Sequence, residues 1–248
     1  VIATDPAGLT GQTTVRYTIT NPVPVAEDDQ LFFTENGVDI TGSVYDPNGT
    51  TVGLVGDVDP DGDTLTVTLV DGAAGNVDNP TAGNAGGLFT IESDGTYTFS
   101  DNGEFDDLAD GETRDTAITY QISDGEGGFD DATVTVTVTG INDPVVFDDP
   151  ADDFSTQSGV DAELDLPFDM KPYFSDADNN DTLVFSVNQA DLPVGMMISS
   201  DGVLSGTPDK DASQGGNGAG VYTIPVTVTD NKGSTITVDL TYTVTNPP

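Results

Sequence analysis

Five stretches of the chain alternate apolar and polar residues with a period of two: Thr64 to Val70 (TLTVTLV), Thr116 to Ile122 (TAITYQI), Ala132 to Thr139 (ATVTVTVT), Val221 to Val228 (VYTIPVTV) and Thr235 to Val244 (TITVDLTYTV). They are rich in Val, Ile, Thr and Tyr. Successive side chains of an extended strand point to opposite faces, so each stretch reads as a strand with one buried face. No segment of about ten residues carries the i, i+3, i+4 stripe of an amphipathic helix. Between the alternating runs, 29 Gly and 15 Pro supply turns. The expectation is an all-β chain of Greek-key sandwiches built from sequential antiparallel strands.

Three strand endings rhyme. Thr13 to Pro22 (TTVRYTITNP), Thr133 to Pro144 (TVTVTVTGINDP) and Thr235 to Pro247 (TITVDLTYTVTNP) each run as an alternating strand into Asn and then Pro. An acidic or glycine-rich turn precedes each of them. This is the last hairpin of a sandwich written three times, and it divides the chain into residues 1–22, 23–143 and 144–248. The second and third parts have the size of ordinary domains. Residues 1–22 read as the closing hairpin of a preceding sandwich, and a hairpin alone is marginal in water.

Charge narrows the choice of partner. The chain holds 44 Asp and Glu against 5 Lys and Arg, a formal charge of −39, and it has neither His nor Cys. A nucleic acid needs a cationic surface to displace its counterions, and five scattered bases do not make one. Without His or Cys, a Ser-His-Asp triad, a Cys-His pair and the usual zinc sites cannot be built. No apolar run reaches the roughly 18 residues that a membrane span requires. Oxygen ligands in such excess favour a hard cation, Ca²⁺ first.

The acids are not spread evenly. In a Greek-key sandwich the B–C and F–G loops return to the end where the chain enters. If Thr64 to Val70 is strand C, then the loop Asp57, Asp59, Asp61 and Asp63 and the turn at Asp124 both face the incoming linker, which carries Asn21 and Asp28. The next unit repeats the arrangement with Asp176, Asp178 and Asp181, then Asp230, beside the linker residues Asn142 and Asp143. Carboxylates gathered this closely raise one another's pKa and repel. A shared Ca²⁺ removes the repulsion and fixes the angle between neighbouring domains. Taken singly, any of these Asp residues is also a good solvated turn residue. The Asp57 to Asp63 loop is not an EF-hand: Thr68 stands where an EF-hand loop closes on Glu, and a strand pattern follows.

Residues Gly95 to Pro144, with GTYTF, DLADGETRDTAITYQISDGEGG and TVTVTGINDP, resemble the VCBS repeat, a cadherin-like module of very large bacterial surface proteins. Residues 145–248, with PYFSDADNNDTLVFSV, LPVGMMISSDGVLSGTPD and YTIPVTVTDNKG, resemble the dystroglycan-type cadherin-like, Ig-type module. These resemblances imply a linear array of cadherin-like sandwiches in a secreted, surface-anchored adhesin, often of the RTX type, stiffened by interdomain Ca²⁺. The cadherin pattern further implies Glu35 as a ligand beside Asn142 and Asp143. The first linker departs from that pattern, because Pro22 follows Asn21 where Asp143 follows Asn142. Implied partners are calcium ions, neighbouring repeats of the same chain and a cell-surface glycan or protein receptor.

Two other functions compete with an extender segment. Paired carboxylates can cleave glycosides, but among 44 acids no pair is marked out and no catalytic residue is assigned. A calcium-dependent carbohydrate-binding module is the stronger rival, since the loops Asp71 to Gly87 and Asp209 to Gly220 are long and long loops carry recognition. Against it, the chain has no Trp, and its Tyr and Phe fall mostly on alternating strand positions that read as core.

Overall fold

The alternating runs become the long strands of two sandwiches. A computed structural model describes residues 1–46, 56–149, 153–163 and 167–248. In the first sandwich one sheet has the order Asp29–Thr34, Phe129–Thr139, Thr113–Ser123, Thr66–Val70. Its partner sheet has the order Ile40–Ser43, Thr96–Ser100, Leu88–Ile91, Thr81–Ala82. The second sandwich repeats the larger sheet as Thr156–Val160, Thr235–Thr245, Val221–Thr229, Val184–Ser186. Opposite it lie a three-stranded sheet of Phe168–Asp169, Val203–Gly206 and Met196–Ile198 and the short pair Val146–Phe147 and Phe174–Ser175. Among the described residues the helical turns are three-residue 3₁₀ turns, and no helix is long and apolar enough to cross a membrane.

Period-two patterning decides which face is buried. Val134, Val136 and Val138 are fully buried, whereas the alternating Thr133, Thr135 and Thr137 stay partly exposed. Each such valine contributes about 1.5–3 kcal/mol by leaving water. They pack with Leu31, Phe33, Phe89, Phe99, Ile118 and Tyr120 into one core. Phe99 is its centre, 5.3 Å from Phe33 edge-on and 4.7 Å from Phe89. The second core is ordered by a chain of aromatic rings in which Phe154 meets Phe147, Phe174 and Tyr173 at 5.0, 5.6 and 5.2 Å. Most Phe and Tyr residues of the strands therefore serve packing, whereas Phe32 and Phe129 stay exposed.

Two features depart from the sequence-based expectation. Asp29–Thr34 pairs in parallel with Phe129–Thr139, and Thr156–Val160 in parallel with Thr235–Thr245, so each sandwich is not purely antiparallel. This pairing brings the residue after the first strand beside the end of the last: the Glu35 amide donates to Thr139 O at 2.9 Å and the Asp161 amide to Thr245 O at 2.9 Å. The second departure concerns Thr13 to Pro22. The ribbon before it, Ile2–Thr4 with Thr10–Gln12, is antiparallel, but residues 13–22 form no strand and every residue from 1 to 21 is exposed. Val15, Tyr17 and Ile19 alternate just as Val134, Val136 and Val138 do, yet 51%, 87% and 95% of their surfaces are exposed. Alternation yields a strand only where a sheet and a core stand ready to receive it.

Candidate metal centres at the two junctions

The linker between the sandwiches, Asn142-Asp143-Pro144, leaves the end of Phe129–Thr139 and is held on both sides. Asn142 Nδ2 donates to Asp143 O at 2.9 Å and to Asp230 Oδ2 at 3.2 Å, while the Asp143 amide donates to Asp178 Oδ2 at 2.9 Å. Two loops of the second sandwich thus fold onto the linker. Each owes its shape to local bonds: Asp176 Oδ1 accepts from the Asp178 amide, and Asp230 Oδ1 from the amides of Lys232, Gly233 and Ser234. Short carboxylates that cap their own turns in this way aim the second oxygen outwards. Oxygens of Asp176, Asp181 and Asp230 lie within 4.8 Å of one another.

From the other side comes Glu35, 1% exposed, whose Oε2 accepts from the Ile141 amide at 3.1 Å. Burial pushes its carboxyl up to about 7, against the Ile141 bond and with help from the charges of Asp143, Asp106 and Asp178. Burial first, and neighbouring carboxylates second, likewise raise Asp143, Asp176 and Asp178. Asp230 runs the other way: burial opposes its ionisation, but the bonds from Asn142 and the turn amides outweigh that and hold it below the usual carboxylate range.

A group of oxygens in this region is buried and receives no hydrogen bond: Asp106 Oδ1, Asn142 Oδ1, Asp143 Oδ2, Asp176 Oδ2, Asp178 Oδ1 and Asp181 Oδ2. Buried acceptors without donors are costly and rare in folded proteins. Here they come from both sandwiches and the linker, and all are hard oxygen donors. That donor set fits Ca²⁺. Asp106 was not singled out from the sequence; its signal is the acid pair Asp106-Asp107 after the buried Phe105, just ahead of the long strand Thr113–Ser123.

The first junction is built from the same parts, but less completely. Asn21 Nδ2 donates to Pro22 O at 3.1 Å and to Asp124 Oδ2 at 2.9 Å, the counterpart of Asn142 with Asp143 and Asp230. Asp124 Oδ1 takes the amides of Glu126 and Gly128, and a Cβ at Gly128 would collide with the Asp124 carboxylate and with Pro24, so glycine lets this turn close on the linker. Asp59 Oδ1 accepts from the amides of Asp61, Gly62 and Asp63, and Asp59, Asp61 and Asp63 bring oxygens within 4.8 Å of one another. The closeness of the two carboxyls sets them apart: Asp59 is held below and Asp61 pushed above the usual carboxylate range. Asp59 Oδ2 is buried and unbonded.

Two expected ligands stand apart from these groups. Asp57 accepts from the Glu27 amide and from Tyr120 OH, both at 2.9 Å, beside the antiparallel bridge of Val25 with Val58. Burial pushes it up to about 6. Asp28 Oδ1 accepts from the Thr133 amide at 2.8 Å. Both pin the entering chain to the sandwich, a use that a run of acids in sequence does not distinguish from ligation. Nor does Asp124 join the carboxylates of the Asp59 loop; its oxygens are taken up by the linker and its own turn.

Tandem two-sheet sandwiches joined through a short linker, each with its first strand parallel to its last, define a cadherin-like, Ig-type array. Comparison with known proteins agrees. Residues 20–140 match the family model described as "Bacterial cadherin-like domain", and residues 144–245 the one described as "Putative Ig domain". Among solved structures, mouse cadherin-23 EC22-24 superposes with a TM-score of 0.54 at 16% identity, covering 90% of this chain and 67% of that one. Human mucin-like protocadherin EC1-2 gives 0.53 at 16% identity, covering 90% and 98%. At these identities the likeness is one of fold. No curated protein matches the chain.

Proposed function

We propose that this chain is a non-catalytic extender segment of a secreted bacterial surface adhesin of the RTX type, in which Ca²⁺ at the domain junctions turns a string of sandwiches into a stiff rod. In this reading residues 1–22 close a preceding repeat, residues 23–143 form a VCBS-like sandwich and residues 144–248 form a dystroglycan-type one. One observation carries it: the buried, unbonded oxygens of Asp106, Asn142, Asp143, Asp176, Asp178 and Asp181 gather where two sandwiches and their linker meet. Glu35, Asp143, Asp176, Asp178, Asp181 and Asp230 would hold the ion or ions, with Asn142 alongside; Asn21, Asp59, Asp61, Asp63 and Asp124 would serve the first junction. A bound cation supplies the positive charge that these carboxylates lack. The side chains do the rest by bridging linker, lower sandwich and upper sandwich, so that ion binding and fixed domain angle are one event.

Differential scanning calorimetry tests this reading. A ligand bound only by the folded state, at a hundredfold excess over its Kd, stabilises by about 2.7 kcal/mol. For domains of this size that raises Tm by roughly 11–12 °C. The expected result is a Tm higher by this amount in 1 mM CaCl₂ than in EDTA, with Mg²⁺ less effective. Superimposable melts in CaCl₂ and EDTA would overturn it.

A further inference from the structure

The carboxylate cluster is not the only link across the second junction. The Asn179 amide donates to Asp107 O at 3.0 Å, and Asn179 Nδ2 donates to Asp107 Oδ2 at 2.9 Å, so one residue of the second sandwich grips backbone and side chain of the first. Arg114 completes the grip: its Nη2 donates to the same Asp107 Oδ2 at 2.6 Å, and its guanidinium lies 5.5 Å from the ring of the buried Phe105. The Arg114 bond, against some burial, holds the Asp107 carboxyl below its ordinary range, so Asp107 is the charged, acceptor-only partner that two donors need. On another part of the same boundary Lys232 Nζ lies 3.5 Å from Asp110 Oδ2, again one residue from each sandwich.

The placement of charge strengthens the case. The whole chain has only five Lys and Arg, and two of them, Arg114 and Lys232, take part at this one boundary. Lys232 also acts electrostatically on Asp178, opposing the effect of the other carboxylates there. At the first junction, among the described residues, the bonds of residues 1–20 stay within the ribbon, and the link to the sandwich is the linker's own bond from Asn21 to Asp124.

We infer that the second junction carries a cation-independent latch, made by Asn179 with Asp107 and Arg114 and by Lys232 with Asp110, which keeps the two sandwiches docked when divalent cations are withdrawn. The first junction, lacking a latch, becomes free under the same conditions. The array then loses stiffness one joint at a time. The inference does not rest on the calcium reading, because none of the latch residues is a proposed ligand and the decisive state is the metal-free one.

The absence of cysteine makes the test direct. Spin labels on Thr119→Cys and Asp239→Cys span the second junction, and labels on Thr10→Cys and Thr119→Cys span the first; all three positions are exposed. Pulsed electron-electron resonance in EDTA should give one narrow distance distribution for the second pair and a broad one for the first. The double substitution R114Q/K232Q, which replaces no core residue and no proposed ligand, should broaden the second distribution at least twofold. Asn179→Ala should do the same, with thermal melts confirming that each sandwich remains folded. A second-junction distribution in EDTA as broad as the first, or one that neither variant alters, would overturn the latch. Narrowing on CaCl₂ addition is a separate reading, informative about the ion alone.

Discussion

The two junctions are built from one plan and differ in how far it is carried through. Each has an Asn whose amide bridges the next linker carbonyl and an Asp of the following sandwich's last hairpin: Asn21 with Asp124, and Asn142 with Asp230. At the second, Asp143 follows, Glu35 approaches from below, and oxygens of Asp176 and Asp181 join that of Asp230. At the first, Pro22 stands in place of the second acid, and the clustered oxygens all belong to one loop, Asp59, Asp61 and Asp63. A single loop can bind an ion without fixing the angle between domains. Carboxylates drawn from two domains and a linker cannot bind one without doing so. The difference in ligand origin is therefore a difference in mechanics.

Removing the central carboxylate of the second junction should have the largest effect. Asp178→Asn keeps the bond from the Asp143 amide but deletes a charge whose other oxygen is buried and unbonded. Calcium affinity at that junction is expected to fall by 10- to 100-fold, about 1.4–2.8 kcal/mol, measured by isothermal titration calorimetry. In EDTA the same variant should melt higher than the parent, because it relieves repulsion. Asp61→Asn, on the single-loop site, should leave the tight phase of the titration intact. Equal losses from both variants would erase the proposed distinction.

Acidity offers a second handle of intermediate size. Glu35 is pushed up to about 7 from 4.5, so folding favours its protonated form. Its contribution to metal-free stability is thus complete below pH 4.5, declines as pH rises towards 7 and is level above that. Asp143, Asp176 and Asp178 are shifted in the same direction, while Asp230 is shifted down and acts only at lower pH. In EDTA, Tm should fall between pH 5 and 7, and Glu35→Gln should flatten the fall. With saturating Ca²⁺ the trend should invert, since ligation needs ionised carboxylates. A metal-free Tm that rises across this range would contradict the assignment.

The smallest change rebuilds one junction in the image of the other. Pro22→Asp would give the first linker the Asn-Asp pair of the second, and a several-fold gain in calcium affinity at the weaker phase is expected in the same calorimetric titration. No gain would mean that the missing acid is not what separates the two.

Much of this was legible in the residues. The runs Thr116 to Ile122, Ala132 to Thr139, Val221 to Val228 and Thr235 to Val244 all lie within the strands Thr113–Ser123, Phe129–Thr139, Val221–Thr229 and Thr235–Thr245, because alternation with β-branched residues specifies a half-buried strand locally. The convergence of Asp176, Asp181 and Asp230 was legible from Greek-key connectivity alone. Thr13 to Pro22 carries the same pattern as its rhymes yet forms no strand here, because strand formation depends on partners that local pattern does not encode. That Asp57 and Asp28 also pin the entering chain was not legible for a related reason: whether an Asp meets Tyr120 OH or the Thr133 amide is set by residues 63 and 105 positions away along the chain. Asp107 and Asn179 could not have been paired from sequence, because their contact exists only once the two sandwiches are docked.

The central claim is tested most directly by diffraction from crystals grown in CaCl₂, with anomalous scattering used to locate the ions. The account predicts calcium at the second junction, with the unbonded oxygens of Asp143 and Asp178 about 2.3–2.6 Å from it. Crystals in which those oxygens meet only water or protein donors at millimolar Ca²⁺ would contradict it.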